Sequence, residues 1–178
     1  MAKRILITGA GGFIGGYLVS EAINRGYDTW AAVRKSTSRE FLTDERIKFI
    51  ELDFTDEQTL KQKLAEAMQQ IGGKWDYIIH NLGATKCNNF NDFKTINYTY
   101  LTRLVESLSA LDAMPEKLLL MSSLSAMGAV DETGYTPITT RSVASPNTRY
   151  GLSKMQAEMY LQRRTDCPYI IFRCTGVY

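Results

Sequence analysis

The sequence predicts an α/β fold with a doubly wound parallel sheet of about six strands and helices on both faces. Apolar runs of strand length alternate with longer segments of helical period along the chain. Such alternation is typical of strand–helix–strand units, whose parallel strands are covered on both sides. A glycine-rich segment also follows the first apolar run directly and leads into a helical segment, as in the first unit of many such sheets.

Each predicted strand is a short apolar or alternating run, and the strands lie at residues 3–8, 28–34, 46–51, 75–80, 116–122 and 168–174. Apolar residues at helical spacing predict helices between them, at residues 13–25, 56–70, 91–112 and 147–165. Thr55 and Gln58 have the spacing of a capping box at the start of the second helix. Gly26 and Gly72 stand where the first and second helices are expected to end. Polar residues 35–45 and residues 124–146, rich in Gly, Ser, Thr and Pro, are predicted loops.

Composition and charge argue against several classes of protein. The 178 residues suit one ordinary domain, and 21 Lys and Arg against 19 Asp and Glu leave a net charge of +2. Nucleic-acid-binding proteins usually carry a basic stripe, so no nucleic-acid partner is expected. No apolar run approaches the roughly 18 residues of a membrane span. The run Ile5–Ile7 is too short for a signal peptide, so we expect a cytoplasmic protein with no membrane partner.

The side chains that most often bind metals do not form a recognisable site in the sequence. The three cysteines, Cys87, Cys167 and Cys174, lack metal-ligand spacing and are expected to be reduced thiols. His80 is the only histidine, and without ligand partners at metal spacing it is expected to be structural. The sequence therefore predicts no metal centre.

Gly9, Gly12 and Gly15 form a G-x-x-G-x-x-G pattern between the first strand and the first helix. In this position the first glycine permits a tight turn, the second lets the backbone approach a pyrophosphate, and the third lets the helix pack closely on the strand. The N-terminus of the helix adds free N–H groups and the positive end of the helix dipole. The pattern predicts a dinucleotide site, and a glycine-rich turn without a ligand is the alternative.

The end of the second strand bears on the choice between NADP and NAD. A carboxylate in this position usually holds the ribose 2′-hydroxyl of NAD, but the strand here ends in Arg34, followed by Lys35. A guanidinium attracts a 2′-phosphate and can bind it through two hydrogen bonds. The sequence therefore predicts NADP as the preferred cofactor, with NAD possible. A solvated basic loop is the alternative interpretation of these residues.

Tyr150 and Lys154 lie four residues apart near the start of a predicted helix, which places both on one helix face. The fifth strand ends in Ser122 and Ser123, at the same edge of the sheet. A phenol has a pKa of about 10, which a nearby ammonium and an oxidised nicotinamide lower. Tyr150 could then exchange a proton with a substrate hydroxyl or carbonyl, with Ser123 holding the same oxygen and Lys154 the nicotinamide ribose. A surface tyrosine and a solvated lysine are the alternative.

Taken together, these motifs resemble the extended short-chain dehydrogenase/reductase family, also called the NAD-dependent epimerase/dehydratase family, whose N-terminal part is a Rossmann fold. The resemblance covers essentially the whole chain. It rests on seven segments in order: ITGAGGFIG (7–15), LDFTD (52–56), HNLGAT (80–85), INYTYLTRLVES (96–107), LLLMSSLSAMG (118–128), YGLSK (150–154) and RCTGVY (173–178).

The resemblance implies a role for each residue that matches a family motif. Ser123, Tyr150 and Lys154 would be catalytic, and Asn97 would brace the geometry near the active site. It also implies that residues 1–178 are an NAD(P)-binding domain and that a C-terminal substrate domain is absent. Cofactor contacts are implied at Gly9, Gly12, Phe13, Ile14, Gly15, Arg34, Asp53, Phe54, Leu82, Gly83, Ala84, Asn97 and Lys154.

We therefore expect a nicotinamide-dependent oxidoreductase, epimerase or dehydratase, for which the resemblance implies a nucleotide sugar or a related hydroxyl or carbonyl compound as substrate. It also implies a homodimer formed through the helices at 91–112 and 147–165. The alternatives are a module that binds NADP(H) as a sensor or structural ligand without turnover, and a scaffold without a ligand.

Overall fold

A computed structural model of the chain describes residues 2–129 and 136–176. Six parallel strands in these ranges form one sheet with the order β3-β2-β1-β4-β5-β6, so the predicted doubly wound sheet is confirmed. The order reverses between β1 and β4, where sheets of this kind bind their ligands beyond the carboxyl ends of the strands. The strands are β1 (Arg4–Thr8), β2 (Asp28–Val33), β3 (Lys48–Glu51), β4 (Tyr77–His80), β5 (Lys117–Ser123) and β6 (Tyr169–Cys174).

The helices lie between the strands as the apolar spacing predicts, but one of them is divided. The predicted helix at 91–112 consists of two α-helices joined by a π-helical turn at Thr95–Thr99. Single π-turns of this kind occur frequently at functional sites. The α-helices are α1 (Phe13–Asn24), α2 (Glu57–Ile71), α3 (Phe90–Lys94), α4 (Tyr100–Ala110) and α5 (Arg149–Gln162).

The start of α2 differs from the sequence prediction. Asp56, not Thr55, is the N-cap, and its carboxylate accepts a hydrogen bond from the backbone N–H of Thr59 at 2.8 Å. The hydroxyl of Thr55 instead donates to the carboxylate of Asp53 at 2.7 Å. The capping box predicted from Thr55 and Gln58 was therefore wrong by one residue, because the turn formed with Asp53 takes Thr55 out of the cap position.

Both faces of the sheet are covered, as predicted, and alternate residues of each central strand point into different cores. Leu6 packs with the apolar residues of α2, α4 and α5 on one face, whereas Ile5 and Ile7 pack with those of α1 on the other. Burial on both faces explains why β1 is a continuous apolar run. None of the helices in the described ranges combines the length and the apolar character needed to span a bilayer.

Candidate functional site

A cavity of about 860 Å³ lies at the carboxyl ends of the strands and extends from the glycine-rich loop to the start of α5. Its position is the switch point between β1 and β4, where a ligand site is expected. All but two of the site residues predicted from the sequence line it. They are Gly9, Gly12, Phe13, Ile14, Arg34, Phe54, Leu82, Gly83, Ala84, Asn97, Ser123, Tyr150 and Lys154.

The two remaining residues, Gly15 and Asp53, lie next to the cavity without lining it. Gly15 is buried in the first turn of α1, where an added Cβ atom would stand 2.1 Å from the carbonyl oxygen of Gly9. The carboxylate of Asp53 accepts hydrogen bonds from the backbone and the hydroxyl of Thr55, and these bonds lower the pKa of Asp53. The positive charge of Arg34 has a smaller effect in the same direction.

The glycine-rich loop has the form that a pyrophosphate site requires. Gly9 has a φ of +65°, a conformation that L side chains rarely adopt, and an added Cβ would also stand 2.9 Å from the backbone of Leu82. Gly12 is the N-cap of α1, and no side chain caps this helix end. The first turn of α1 has no acidic residue, so neither a cap nor a carboxylate competes with an anion for the N-terminus of the helix.

The loop after β2 lies against the same part of the cavity. Arg34 is exposed, and its backbone N–H donates to the hydroxyl of Thr37 at 2.9 Å. Ser36, Thr37 and Ser38 line the cavity beside Arg34 and were missed by the sequence analysis. Three hydroxyl residues directly after a strand end were the available signal, because such side chains can donate to phosphate oxygens.

Ser123 and Tyr150 meet at the other end of the cavity. Ser123 is the last residue of β5, and Tyr150 lies in the first turn of α5, whose N-cap Thr148 accepts a hydrogen bond from the backbone N–H of Gly151. Burial raises the pKa of the Tyr150 phenol, and a hydrogen bond with Ser123 partly opposes this increase. The phenol therefore requires additional positive charge before it can act as a base near neutral pH.

Lys154 lies one helical turn after Tyr150 and is only 3% exposed. Its ammonium donates a hydrogen bond of 2.6 Å to the carbonyl oxygen of Met121, two residues before Ser123 on β5. Burial lowers the pKa of Lys154 to about 8, and the negative charge of Glu158 acts in the opposite direction. At neutral pH the ammonium is still mostly protonated, but with a pKa of about 8 it loses its proton a little above neutrality.

Asn97 connects the two halves of the site from the π-helical turn. Its side chain accepts a hydrogen bond from the backbone N–H of Ala84 at 2.8 Å and donates to the carbonyl oxygen of the same residue at 3.0 Å. It also donates to the hydroxyl of Ser153 at 3.0 Å. The segment after β4 is thereby joined to α5 one residue before Lys154.

Two sulfur-containing residues that the sequence analysis did not assign to the site, Met121 and Cys174, also line the cavity. Cys174 ends β6, and its Sγ lies 3.1 Å from the Sδ of Met121 on β5. The strand order explains the contact, since β6 pairs with β5 in parallel and both end at the same edge. The described residues contain no group of three or more His, Cys, Asp or Glu side chains that could hold a metal ion.

His80 is fully buried, at the end of β4, and its Nδ1 is hydrogen-bonded to the hydroxyl of Thr8 at 3.1 Å. Burial lowers the pKa of His80 to about 3, and the charge of Lys154 acts in the same direction. The ring is therefore neutral at all pH values near neutrality and is unsuited to proton exchange there.

This burial predicts a loss of stability in mild acid. The unfolded chain binds a proton at His80 below its ordinary pKa of 6.5, whereas the folded chain does so only near 3. The free energy of unfolding should therefore fall by up to about 1.4 kcal/mol per pH unit as the pH drops below 6.5. Urea unfolding at pH 7.0, 6.0 and 5.5 measures this slope before most carboxylates titrate. The variant His80→Gln should lack the slope, and equal slopes in both proteins would contradict the assignment.

Comparisons with known proteins indicate a family and a fold for the chain. The family model described as "NAD dependent epimerase/dehydratase family" matches residues 5–178. Fatty acid hydroxylase uhd1 of Mycosarcoma maydis is 32% identical over 147 residues, which are 75% of this chain and 46% of that protein. The chain thus spans about half the length of this curated relative.

Two solved structures share the fold. UDP-glucose 4-epimerase of Thermotoga maritima, determined with UDP-glucose, superposes with a TM-score of 0.78 at 21% identity, over 96% of this chain and 54% of that one. WbmG of Bordetella bronchiseptica, determined in complex with NAD and UDP, superposes with a TM-score of 0.77 at 24% identity, over 97% of this chain and 53% of that one.

Proposed function

Since the chain belongs to the NAD dependent epimerase/dehydratase family, we propose that residues 1–178 form the nicotinamide-binding domain of an oxidoreductase, epimerase or dehydratase. The observation that carries this proposal is the single cavity that extends from Gly12 to Tyr150 and Lys154. One end of it can take a pyrophosphate, and the other holds side chains that can exchange a proton. The proposed substrate carries a hydroxyl or carbonyl group at that second end.

The residues of the cavity fit a dinucleotide from end to end. The uncapped N-terminus of α1 would bind the pyrophosphate, and Leu82, Gly83 and Ala84 line the wall between that point and Tyr150. We propose NADP as the preferred cofactor, because Arg34 and the hydroxyl residues after it line the cavity beyond β2 and their side chains suit an adenosine 2′-phosphate. WbmG, which shares the fold, was determined with NAD, and NAD is the alternative cofactor.

The proton chemistry is assigned to three side chains. When bound, the nicotinamide exchanges a hydride with a carbon of the substrate. Tyr150 gives or takes the proton at the oxygen of that carbon, and Ser123 holds the same oxygen by a hydrogen bond. Lys154 binds a hydroxyl of the nicotinamide ribose and contributes positive charge. We expect this charge to favour the phenolate of Tyr150, against the effect of burial, which raises the pKa of the phenol.

A nucleotide sugar is the proposed substrate class. UDP-glucose 4-epimerase of Thermotoga maritima was determined with UDP-glucose, and WbmG with UDP. A second cavity of about 450 Å³ adjoins Ser123 and is lined partly by the polar residues Ser125 and Asn147, which suit a hydroxyl-rich ligand. The names of the relatives do not agree on one reaction, since uhd1 is a fatty acid hydroxylase.

A homodimer formed through α4 and α5 and a cytoplasmic location stay predictions from the sequence.

A module that binds NADP(H) without turnover is the second candidate function. The observation that favours it is the raised pKa of the Tyr150 phenol, since its burial opposes the ionisation that proton exchange requires. Hydride transfer to a panel of carbonyl compounds, followed at the absorbance of the reduced nicotinamide, would rule this candidate out.

Thermal unfolding in the presence of each nucleotide is the test of the proposed site. At 100 times its dissociation constant, a ligand adds about 2.7 kcal/mol to the free energy of unfolding. For a chain of this size that corresponds to a rise of roughly 5–10 °C in the melting temperature. We expect this rise with NADPH and a smaller one with NADH at the same concentration. No rise with either nucleotide would refute the proposed cofactor site.

The preference is tested by removing the charge of Arg34. Charged hydrogen bonds contribute about 1.5–3 kcal/mol, so Arg34→Gln should weaken NADPH binding at least tenfold and leave NADH binding nearly unchanged. The matched control is Arg163→Gln, an exposed position at the far end of α5, roughly 20 Å along the helix from Tyr150. An unchanged ratio of the two affinities in Arg34→Gln would overturn the NADP assignment.

A further inference from the structure

Glu158 carries a buried charge that the proposed chemistry does not use. Its side chain is 3% exposed, on α5, one helical turn after Lys154. Its carboxylate accepts a hydrogen bond from the hydroxyl of Ser122 at 2.5 Å and forms an ion pair with Arg173 at 2.7 Å. A buried carboxylate is costly unless it is paired in this way, so its position needs an explanation.

The contacts of Lys154 and Glu158 fix α5 on the strand that carries Ser123. Lys154 donates to the carbonyl oxygen of Met121, and Glu158 accepts from the hydroxyl of Ser122. These two strand residues directly precede Ser123. Two side chains four residues apart on the helix thus contact consecutive residues of β5. Arg173 on β6, which pairs with Ser122 in the sheet, donates a hydrogen bond to the carboxylate of Glu158. A shift of α5 along β5 would break both contacts.

The charge of Glu158 also acts on Lys154. Among the residues that the structure describes, the ionisable groups that act on the Lys154 ammonium include Glu158 on its own helix, Cys174 on β6 and His80 on β4, and Tyr150 lines the same cavity. The positive charge of Arg173 is paired with Glu158. His80 is neutral, and Cys174 and Tyr150 are neutral near pH 7 because burial raises the pKa of each. Glu158 is therefore the one negative charge in this set that stabilises the ammonium.

We propose that Glu158 is a positioning residue of the proposed active site, which fixes α5 on β5 through Ser122 and supplies a buried negative charge one helical turn from Lys154. This inference rests on the proposed function for its catalytic meaning. Its physical content, the coupling between two side chains, is independent of any cofactor. Lys154 would contact the cofactor directly, whereas Glu158 would act on the site only through Lys154.

The coupling can be measured by NMR titration of the lysine Cε and Nζ resonances in the whole 178-residue chain. The Lys154 signal should titrate near pH 8, and its loss in Lys154→Met assigns it. In Glu158→Gln, which keeps the shape and the contact with Ser122, we expect the pKa of Lys154 to fall by about one unit. In the double variant Glu158→Met/Arg173→Met, which replaces the buried ion pair with apolar side chains, the pKa of Lys154 should fall as well. A fall distinguishes charge coupling from a loosened helix, because a loosened helix would expose Lys154 to solvent and raise its pKa.

The matched control is Glu106→Gln, which removes a carboxylate of the same type from the exposed ion pair with Arg164. It should leave the titration of Lys154 unchanged. A fall of less than about 0.3 units in Glu158→Gln would overturn the proposal. If Glu158→Gln does not fold, the double variant decides alone, and a Lys154 pKa that stays the same or rises in it would overturn the proposal. NADPH binding by the unsubstituted chain is measured separately, so its absence would refute the proposed function and not this coupling.

Discussion

Replacing Tyr150 by phenylalanine should lower kcat/KM of the intact protein by about 10²–10⁴-fold while leaving nucleotide binding in place. The substitution removes only the hydroxyl that is assigned to proton exchange. The ring, which packs against Phe93 at a centroid distance of 6.0 Å, is retained, so the start of α5 should keep its position. Turnover is measured from the absorbance of the reduced nicotinamide, and nucleotide binding from the shift in thermal unfolding.

Tyr160→Phe is the matched control, because it removes a phenol hydroxyl from the same helix outside the cavity. That hydroxyl donates to Glu106 at 2.7 Å on the surface between α4 and α5. Turnover should be unchanged in this variant. Undiminished turnover in Tyr150→Phe would refute the role of Tyr150. Equal losses in both variants would indicate a general disturbance of α5 instead of a loss of proton exchange.

The strands could be predicted because burial on both faces of the sheet leaves continuous apolar runs in the sequence. The division of the helix at 91–112 could not. The π-helical turn places Asn97 so that its side chain bonds with Ala84 and with Ser153, 56 residues along the chain. Apolar periodicity does not register such contacts, because they are hydrogen bonds of a polar side chain with residues distant in the sequence.

The position of the N-cap of α2 shows a similar limit at short range. Thr55, Asp56 and Gln58 offer two plausible caps one residue apart. The choice depends on Asp53, whose carboxylate engages Thr55 and leaves Asp56 to cap the helix. Local hydrogen bonds of this kind compete with one another, and the spacing of residue types alone does not rank them.

Much of the candidate site could be predicted because its residues lie in short motifs at strand ends. The residues that were missed, such as Met121 and Cys174, reach the cavity only through the pairing of β5 with β6. The raised pKa of Tyr150 was also not foreseen, since the sequence shows the nearby Lys154 but not the burial of the phenol. Burial depends on the whole fold, so the direction of a pKa shift is the least predictable property of the site.

A methyl group added to Gly15 should reduce both stability and nucleotide binding. The new Cβ would stand 2.1 Å from the carbonyl oxygen of Gly9, and this contact is with backbone that cannot turn aside. To relieve it, α1 must move away from the loop. We expect Gly15→Ala to lower the free energy of unfolding by about 1–3 kcal/mol, or roughly 2–4 °C in melting temperature per kcal/mol. NADPH binding should weaken at least tenfold, because the N-terminus of α1 is displaced from the pyrophosphate.

Gly12→Ala separates the two effects. Its Cβ would stand 3.4 Å from the same oxygen, an ordinary contact, and Gly12 has φ of −83° and ψ of 170°, which alanine adopts readily. Stability should therefore be nearly unchanged, while NADPH binding weakens because the methyl group blocks the approach of the pyrophosphate to the backbone. Denaturant unfolding and NADPH titration of both variants test this pair. Wild-type affinity in Gly12→Ala would show that the pyrophosphate does not lie against this loop, because a methyl group at the N-cap of α1 leaves no room for it there.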